Sequence, residues 1–362
     1  MKAAILIRPR EPMVVEDIDL DAPGPGEVHV KVAASGVCHS CLHTADGTGG
    51  DSPLPIVLGD EGSGIVERVG PGVTSLVPGD HVILSWAPVC GQCDKCRSGL
   101  PSLCPNQPTF GVLRDGKVRM HRNGQDVHHF GTVSSYASEV VVPEDCAIKI
   151  RPDMPLEAAA LIGCAVTTGA GAVINTAAAR PGDSVAVFGC GGIGMSAVIG
   201  AVLLGAYPII AVDIVPERLE AARRLGATHV VNSRDADALQ QIRDAAGGGV
   251  DHAIMGIGIE SVIQLAWASL APRGTCVMIP FMGVGATLTI DPLLLIRFEN
   301  RLIGSRYGSA DPARDFPRFV DLYMAGRLPI DELITQRYPL SEINEAHRAL
   351  ANGENTRGLI VF

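Results

Sequence analysis

No excess of positive charge runs through this sequence: 29 Lys and Arg stand against 39 Asp and Glu, a formal net charge of −10. That balance leaves no electrostatic footprint for nucleic acid or for an anionic membrane, and it points to a small-molecule task. No secretory leader is expected either. The start MKAAILIRPR has five apolar residues between Lys2 and Arg8, too few for the apolar segment of a signal peptide, so a cytoplasmic protein is expected. An uninterrupted membrane-spanning run is missing as well, because the longest apolar stretch, Met195 to Val212, is divided by Gly205 and Pro208 into a helix-sized piece and a short strand. What remains is a chain of 362 residues, 47% hydrophobic, long enough for two domains around sizeable cores.

Cysteine, by contrast, is plentiful, with ten in the chain. In a chain this long and without a leader, metal ligation is a better first reading than disulfides. CGQCDKCRSGLPSLC sets Cys90, Cys93, Cys96 and Cys104 at C-x2-C-x2-C-x7-C, with Gly91, Gly99 and Pro101 to bend the backbone. Such spacing lets thiolates converge on one tetrahedral Zn2+, and with all four positions used by protein the ion has no place for substrate. A structural zinc is expected, with an iron–sulfur cluster as the alternative.

The segment DSVAVFGCGGIGMSAVIGAVLLGAYPIIAVD reads as strand, glycine-rich turn, apolar helix and second strand. Gly189 suits the tight turn, Gly191 lets a pyrophosphate approach the backbone, Gly192 continues the loop, and Gly194 lets helix pack on strand. The helix N-terminus would face the phosphates. Asp213 closes the second strand, 19 residues beyond Gly194, where it can accept hydrogen bonds from a ribose diol and repel a 2′-phosphate, so NAD is expected over NADP. Strands and helices keep alternating up to about residue 306, as a doubly wound parallel sheet requires. Before about residue 165 the chain instead has short Val-rich strands punctuated by Gly and Pro, the mark of a β-rich domain.

These motifs, together with GVCHS, LIGCAVTTG and the closing NTRGLIVF, appear in an order that resembles the zinc-dependent alcohol dehydrogenases of the medium-chain dehydrogenase/reductase (MDR) superfamily. The likeness covers essentially the whole chain. It implies an α/β fold: a β-rich GroES-like catalytic domain over residues 1–165, a Rossmann doubly wound parallel sheet over 166–306, and a return to the catalytic domain over 307–362. It also implies NAD, a catalytic and a structural Zn2+ in each chain, a homodimer or homotetramer, and an alcohol or aldehyde as the small-molecule partner, with no nucleic acid or membrane. Hydride transfer between alcohol and NAD is the implied reaction. A zinc-independent reductase of activated double bonds and a non-catalytic NAD-binding protein are the other readings, and a thiol-adduct alcohol stays open as substrate.

By the same resemblance, Cys38 and Cys164 match the thiolates of the catalytic zinc. Ser40 matches the hydroxyl that takes the alcohol's proton, and His43 the imidazole at the solvent end of that relay. His39 and Arg357 match basic residues against the pyrophosphate, and Arg218 a basic residue near the adenosine ribose. Trp86 and Phe130 match aromatic walls of the substrate pocket, a bulky lining suited to primary or slim alcohols. Two positions depart from the family. Its third zinc ligand is a histidine where this chain has Asp60, and it usually has Asp where this chain has Cys41. Cys38, Asp60 and Cys164 are expected to form the site, with Glu61 able to share coordination, and Cys41 is expected to pack, with adventitious metal binding or oxidation open to a thiol three residues from Cys38.

Overall fold

A computed structural model describes all 362 residues. The chain divides into two compact units. The first comprises Met1–Cys164, Asp311–Gly326 and Leu333–Phe362; the second comprises Ala165–Ala310 with Arg327–Glu332. The short piece 327–332 therefore groups with the second unit, although it lies inside the segment assigned by resemblance to the first.

In the second unit six parallel strands run in the spatial order His229–Asn232, Ile209–Asp213, Val185–Phe188, Val250–Met255, Leu270–Met278 and Arg301–Gly304. Val185–Phe188 and Ile209–Asp213 are buried along their whole length, as strands covered on both faces must be, which is why VAVF and IIAVD are nearly continuous apolar runs. The order reverses beside Val185–Phe188, and there the glycine-rich turn leads into the helix Gly192–Leu204. Gly205, at φ +72°, ends that helix in the left-handed conformation that costs glycine least. The long apolar run thus becomes a core helix and a core strand. Another stretch, Leu156–Thr176, is also apolar enough to span a bilayer by composition, but 89% of its most apolar window is buried inside the protein.

The first unit is built on two sheets. In the larger, Glu27–Gly36 is the central strand, flanked by antiparallel Gly62–Val69, Glu139–Pro143 and the C-terminal strand Arg357–Val361. Register decides what comes together. Ser35 pairs with Gly62 and Leu359 with Gly36, so Cys38, the Asp60-Glu61 pair and Arg357 all emerge at one end of neighbouring strands. Cys164 arrives from elsewhere, in the π-helical turn Ile162–Val166 that follows the helix Leu156–Leu161. Such one-turn departures from α-helix often mark functional positions.

Candidate active site and metal centres

In the lobe, the thiols of Cys90, Cys93, Cys96 and Cys104 lie close together: Sγ–Sγ distances are 3.9 Å for Cys90–Cys96, 3.4 Å for Cys93–Cys96, 3.9 Å for Cys93–Cys104 and 3.6 Å for Cys104–Cys90. Four sulfurs tetrahedrally placed at the usual zinc–sulfur distance stand about 3.8 Å apart, so the cluster has the size that zinc needs. Backbone N–H groups of Gln92 and Cys93 hold the Cys90 thiol down to about 6, which favours its thiolate.

The second cluster is buried. One ligand atom from each of Cys38, Asp60 and Cys164 lies within 4.8 Å of the others, and the Cys38 and Cys164 sulfurs are 4.0 Å apart. Two thiols and a carboxylate converging away from water form a donor set suited to Zn2+, with a fourth position left for substrate. Gly59, at φ +101°, turns the chain into Asp60, and a side chain there would collide with Ser135 and Tyr136. Burial raises the Asp60 carboxyl above its ordinary range, while the Ser40 hydrogen bond and the Arg357 charge pull it back. The Ser40 hydroxyl donates to Asp60 Oδ2 and the Cys41 thiol donates to Asp60 Oδ1, the latter at 3.7 Å.

Ser40 and His43 share the short helix His39–Ala45, three residues apart and thus on one face. Both are partly accessible, and His43 Nδ1 lies 2.9 Å from Thr48 Oγ1. His39 is exposed, its ring 6.4 Å from that of His43. Phe130 and Cys38 belong to one packed cluster with Cys164, and Trp86 lies against it. Phe110 meets Phe130 edge-on at 5.6 Å.

Two expectations change here. Glu61 is not part of the metal-ligating group; its carboxylate lies 3.1 Å from the Arg357 guanidinium, in a fully buried ion pair. Gly36 makes room for it, since a side chain at that position would overlap the Glu61 carboxylate. Arg357 is the cationic half of that pair. It is only 3% exposed, and it also donates to the Val37 carbonyl at 3.1 Å. Cys41 likewise does more than pack, because it touches Asp60. Sequence reasoning missed Tyr136 and His347: Tyr136 packs in one buried cluster with Cys41, and its hydroxyl lies 3.3 Å from His347 Nε2. Neither residue sits in a motif, so no signal in the sequence could have found them.

In the second unit Gly189 takes φ +89°, and a Cβ on Gly194 would fall 1.8 Å from the Gly189 carbonyl oxygen. Gly191, by contrast, faces open space, and Gly192 begins the helix. This is an open backbone cradle at a helix N-terminus, suited to the pyrophosphate of NAD. Asp213 accepts from the N–H of Cys190 at 2.6 Å, Ile214 at 2.7 Å and Val215 at 3.0 Å, which fixes its carboxylate beside that loop. Arg218 lies two residues into the helix that follows, Pro216–Arg224.

Comparison with known proteins agrees with this arrangement. Residues 24–152 match the family model of the alcohol dehydrogenase GroES-like domain, and residues 192–325 match that of the zinc-binding dehydrogenases. The chain is 38% identical over 99% of its length to an NDMA-dependent alcohol dehydrogenase of Amycolatopsis methanolica, covering 98% of that protein. It is 39% identical over its whole length to an S-(hydroxymethyl)glutathione dehydrogenase of Escherichia coli, covering 99% of that protein. The chain belongs to the zinc-type alcohol dehydrogenase family. Among solved structures of this family, a benzyl alcohol dehydrogenase from Acinetobacter calcoaceticus superposes with a TM-score of 0.94 at 34% identity, over 100% of this chain and 99% of that one. An alcohol dehydrogenase zinc-binding domain protein from Burkholderia ambifaria gives 0.95 at 38%, over 100% and 98%. Like its alcohol dehydrogenase relatives, the chain is an oxidoreductase acting on alcohols.

Proposed function

We propose that the chain transfers a hydride between a primary alcohol and NAD, with two Zn2+ per chain, one held by Cys38, Asp60 and Cys164 and one by the four lobe cysteines. The convergence of Cys38, Asp60 and Cys164 in a buried position carries this reading. When bound there, zinc supplies the Lewis acidity that makes an alcohol hydroxyl easier to deprotonate. Ser40 Oγ takes that proton and passes its own toward His43, whose imidazole can accept it and hand it on to solvent. Ser40 gives its hydrogen to Asp60. Alcohol binding therefore has to turn the Ser40 hydroxyl away from Asp60 before it can work as a relay.

Gly189, Gly191, Gly192 and Gly194 hold the pyrophosphate, Asp213 the adenosine ribose with Arg218 nearby, and His39 adds a positive partner for phosphate when protonated. The aromatic Phe130, with Phe110 and Trp86, favours slim or aromatic primary alcohols. A structural relative named for benzyl alcohol supports that reading, and a sequence relative named for S-(hydroxymethyl)glutathione is the reason to test a thiol-adduct alcohol beside it. Ile296 and Val284, each 80% exposed, are large apolar side chains open to solvent and support a homodimer or homotetramer. Ten thiols without a disulfide fit a reducing, cytoplasmic location.

The test combines metal analysis with turnover of aliphatic alcohols, benzyl alcohol and a hydroxymethyl thiol adduct, using free NAD. Two zincs and NADH formation are expected. A chain that holds only the lobe zinc yet turns over substrate would remove Asp60 from the ligand set and transfer the reaction to the zinc-independent reading. A relative named NDMA-dependent makes exchange of free NAD a quantity to measure directly.

A further inference from the structure

The two positions at which this chain departs from its family, Cys41 and Asp60, are in contact. An Asp at position 41 would set one buried carboxylate against another, whereas a thiol presents a hydrogen to Asp60 Oδ1. Cys41 is itself engaged from behind. It is fully buried, as is Tyr136, which packs in the same core cluster with its hydroxyl beside the Cys41 thiol. His347, in the helix Ile343–Ala351, brings Nε2 to 3.3 Å from the Tyr136 oxygen and sets its ring edge-on to the tyrosine.

These contacts have a direction. Asp60 can only accept when ionised, so Cys41 donates to it. A thiol whose hydrogen is committed forward can take one from behind, so Tyr136 donates to Cys41 and leaves its oxygen to accept from His347 Nε2–H. Burial holds His347 neutral, with its pKa lowered to about 4, so it carries a single ring N–H, and this chain places that hydrogen on Nε2. Three donors in series reach one carboxylate oxygen, while Ser40 serves the other oxygen. Bonds arranged head to tail in a dry interior strengthen one another.

We propose that Cys41, supported by Tyr136 and His347, is a positioning residue that fixes the orientation and donor strength of Asp60 as a metal ligand. The inference rests on the reading of Asp60 as a ligand given above. Groups that hydrogen-bond a metal ligand set its aim and its basicity, and losing one typically costs on the order of 10–100-fold in metal affinity. Because the chain His347–Tyr136–Cys41–Asp60 lies on the opposite side from Ser40 and His43 in bonding terms, its loss should alter the metal before it alters proton release.

The experiment measures zinc stoichiometry and affinity, by chelator competition, for the native chain and for Cys41→Ala, Cys41→Ser and Tyr136→Phe. Visible spectra of the cobalt-loaded proteins are recorded alongside. The expected result is a second metal about 10–100-fold weaker in Cys41→Ala and about tenfold weaker in Tyr136→Phe, with lobe occupancy unchanged. The cobalt bands of that site should shift, and Cys41→Ser, which restores a donor, should recover most of the affinity. Tyr136→Phe removes one oxygen atom and keeps the packing, so it decides the matter if Cys41→Ala fails to fold. Native affinity and an unshifted cobalt spectrum in Tyr136→Phe and in folded Cys41→Ala would overturn the proposal while leaving Asp60 a ligand. A native chain with only the lobe metal would overturn both.

Discussion

The two metal clusters solve the same problem by opposite means. The lobe draws four like ligands from fifteen consecutive residues, and its site is a local property of the chain. The buried cluster takes one ligand from each of three distant segments, and it exists only once Glu27–Gly36 has paired with Gly62–Val69 and the helix from Leu156 has packed. On the proposed two-zinc reading, a metal in the lobe would organise the protein, whereas at the buried cluster the protein would organise the metal. Loss of a ligand should therefore damage different things in the two places.

The largest effect is expected from Cys93→Ser. Structural zinc contributes about 10–16 kcal/mol of apparent binding energy in small zinc domains, and here the lobe has few buried apolar side chains with which to replace it. Soluble yield and Tm should fall sharply, while substrate preference among surviving molecules stays as it was. A soluble protein that has lost one zinc with unchanged heat stability would break the contrast.

Next comes His43→Ala, which touches neither cluster. Both metals should stay bound and the fold should persist, while alcohol oxidation slows on the order of 100-fold below neutral pH, where hydroxide cannot replace the imidazole. Recovery as pH rises is part of the prediction. A pH–rate profile identical to that of the native protein would remove His43 from the relay.

What the sequence displayed, and what it hid, follows the same division. The lobe and the glycine-rich turn were legible because each is a short contiguous segment whose spacing carries the geometry. Gly189 and Gly194 take the conformations their motif requires. The pairing of Glu61 with Arg357 was not legible: the two are 296 residues apart, and only the register of Leu359 on Gly36 brings them together. The resemblance placed Arg357 by a pyrophosphate, and the register adds a partner the resemblance did not name, Glu61. Tyr136 and His347 stand 211 residues apart with no motif to announce either. Cys41 looked like packing because hydrophobic surroundings and a hydrogen bond to a carboxylate leave the same trace in a sequence.

A smaller effect extends the contrast to the coenzyme. The glycine loop is local, but the choice between NAD and NADP falls to Asp213, whose carboxylate is fixed by three backbone N–H groups. It cannot easily swing away from a 2′-phosphate. Preference for NAD by at least tenfold in kcat/KM is expected, about 1.4 kcal/mol. Equal constants for the two coenzymes would show that the aspartate serves only the loop.

The smallest and most diagnostic change is Asp60→His. Two thiolates cancel the charge of Zn2+, so a histidine leaves the ligand shell neutral and an ionised Asp60 makes it −1. A more negative shell favours the anion of the alcohol less, so oxidation by the native protein should require higher pH. Replacing the aspartate should move the pH–rate profile for alcohol oxidation downward by about one unit, the usual effect of one nearby charge. The substitution also strands Cys41, whose thiol hydrogen then faces an imidazole in place of a carboxylate oxygen. Restoring the partner as well, by Cys41→Asp in the same chain, gives the histidine an acceptor for its ring N–H, and the double variant should bind zinc more tightly than Asp60→His alone. Cys41→Asp without the histidine should be the weakest binder of the three, since it sets two carboxylates in contact. If the two substitutions act independently on zinc affinity, positions 41 and 60 are not coupled, and the buried cluster is less a product of its surroundings than its three-segment assembly implies.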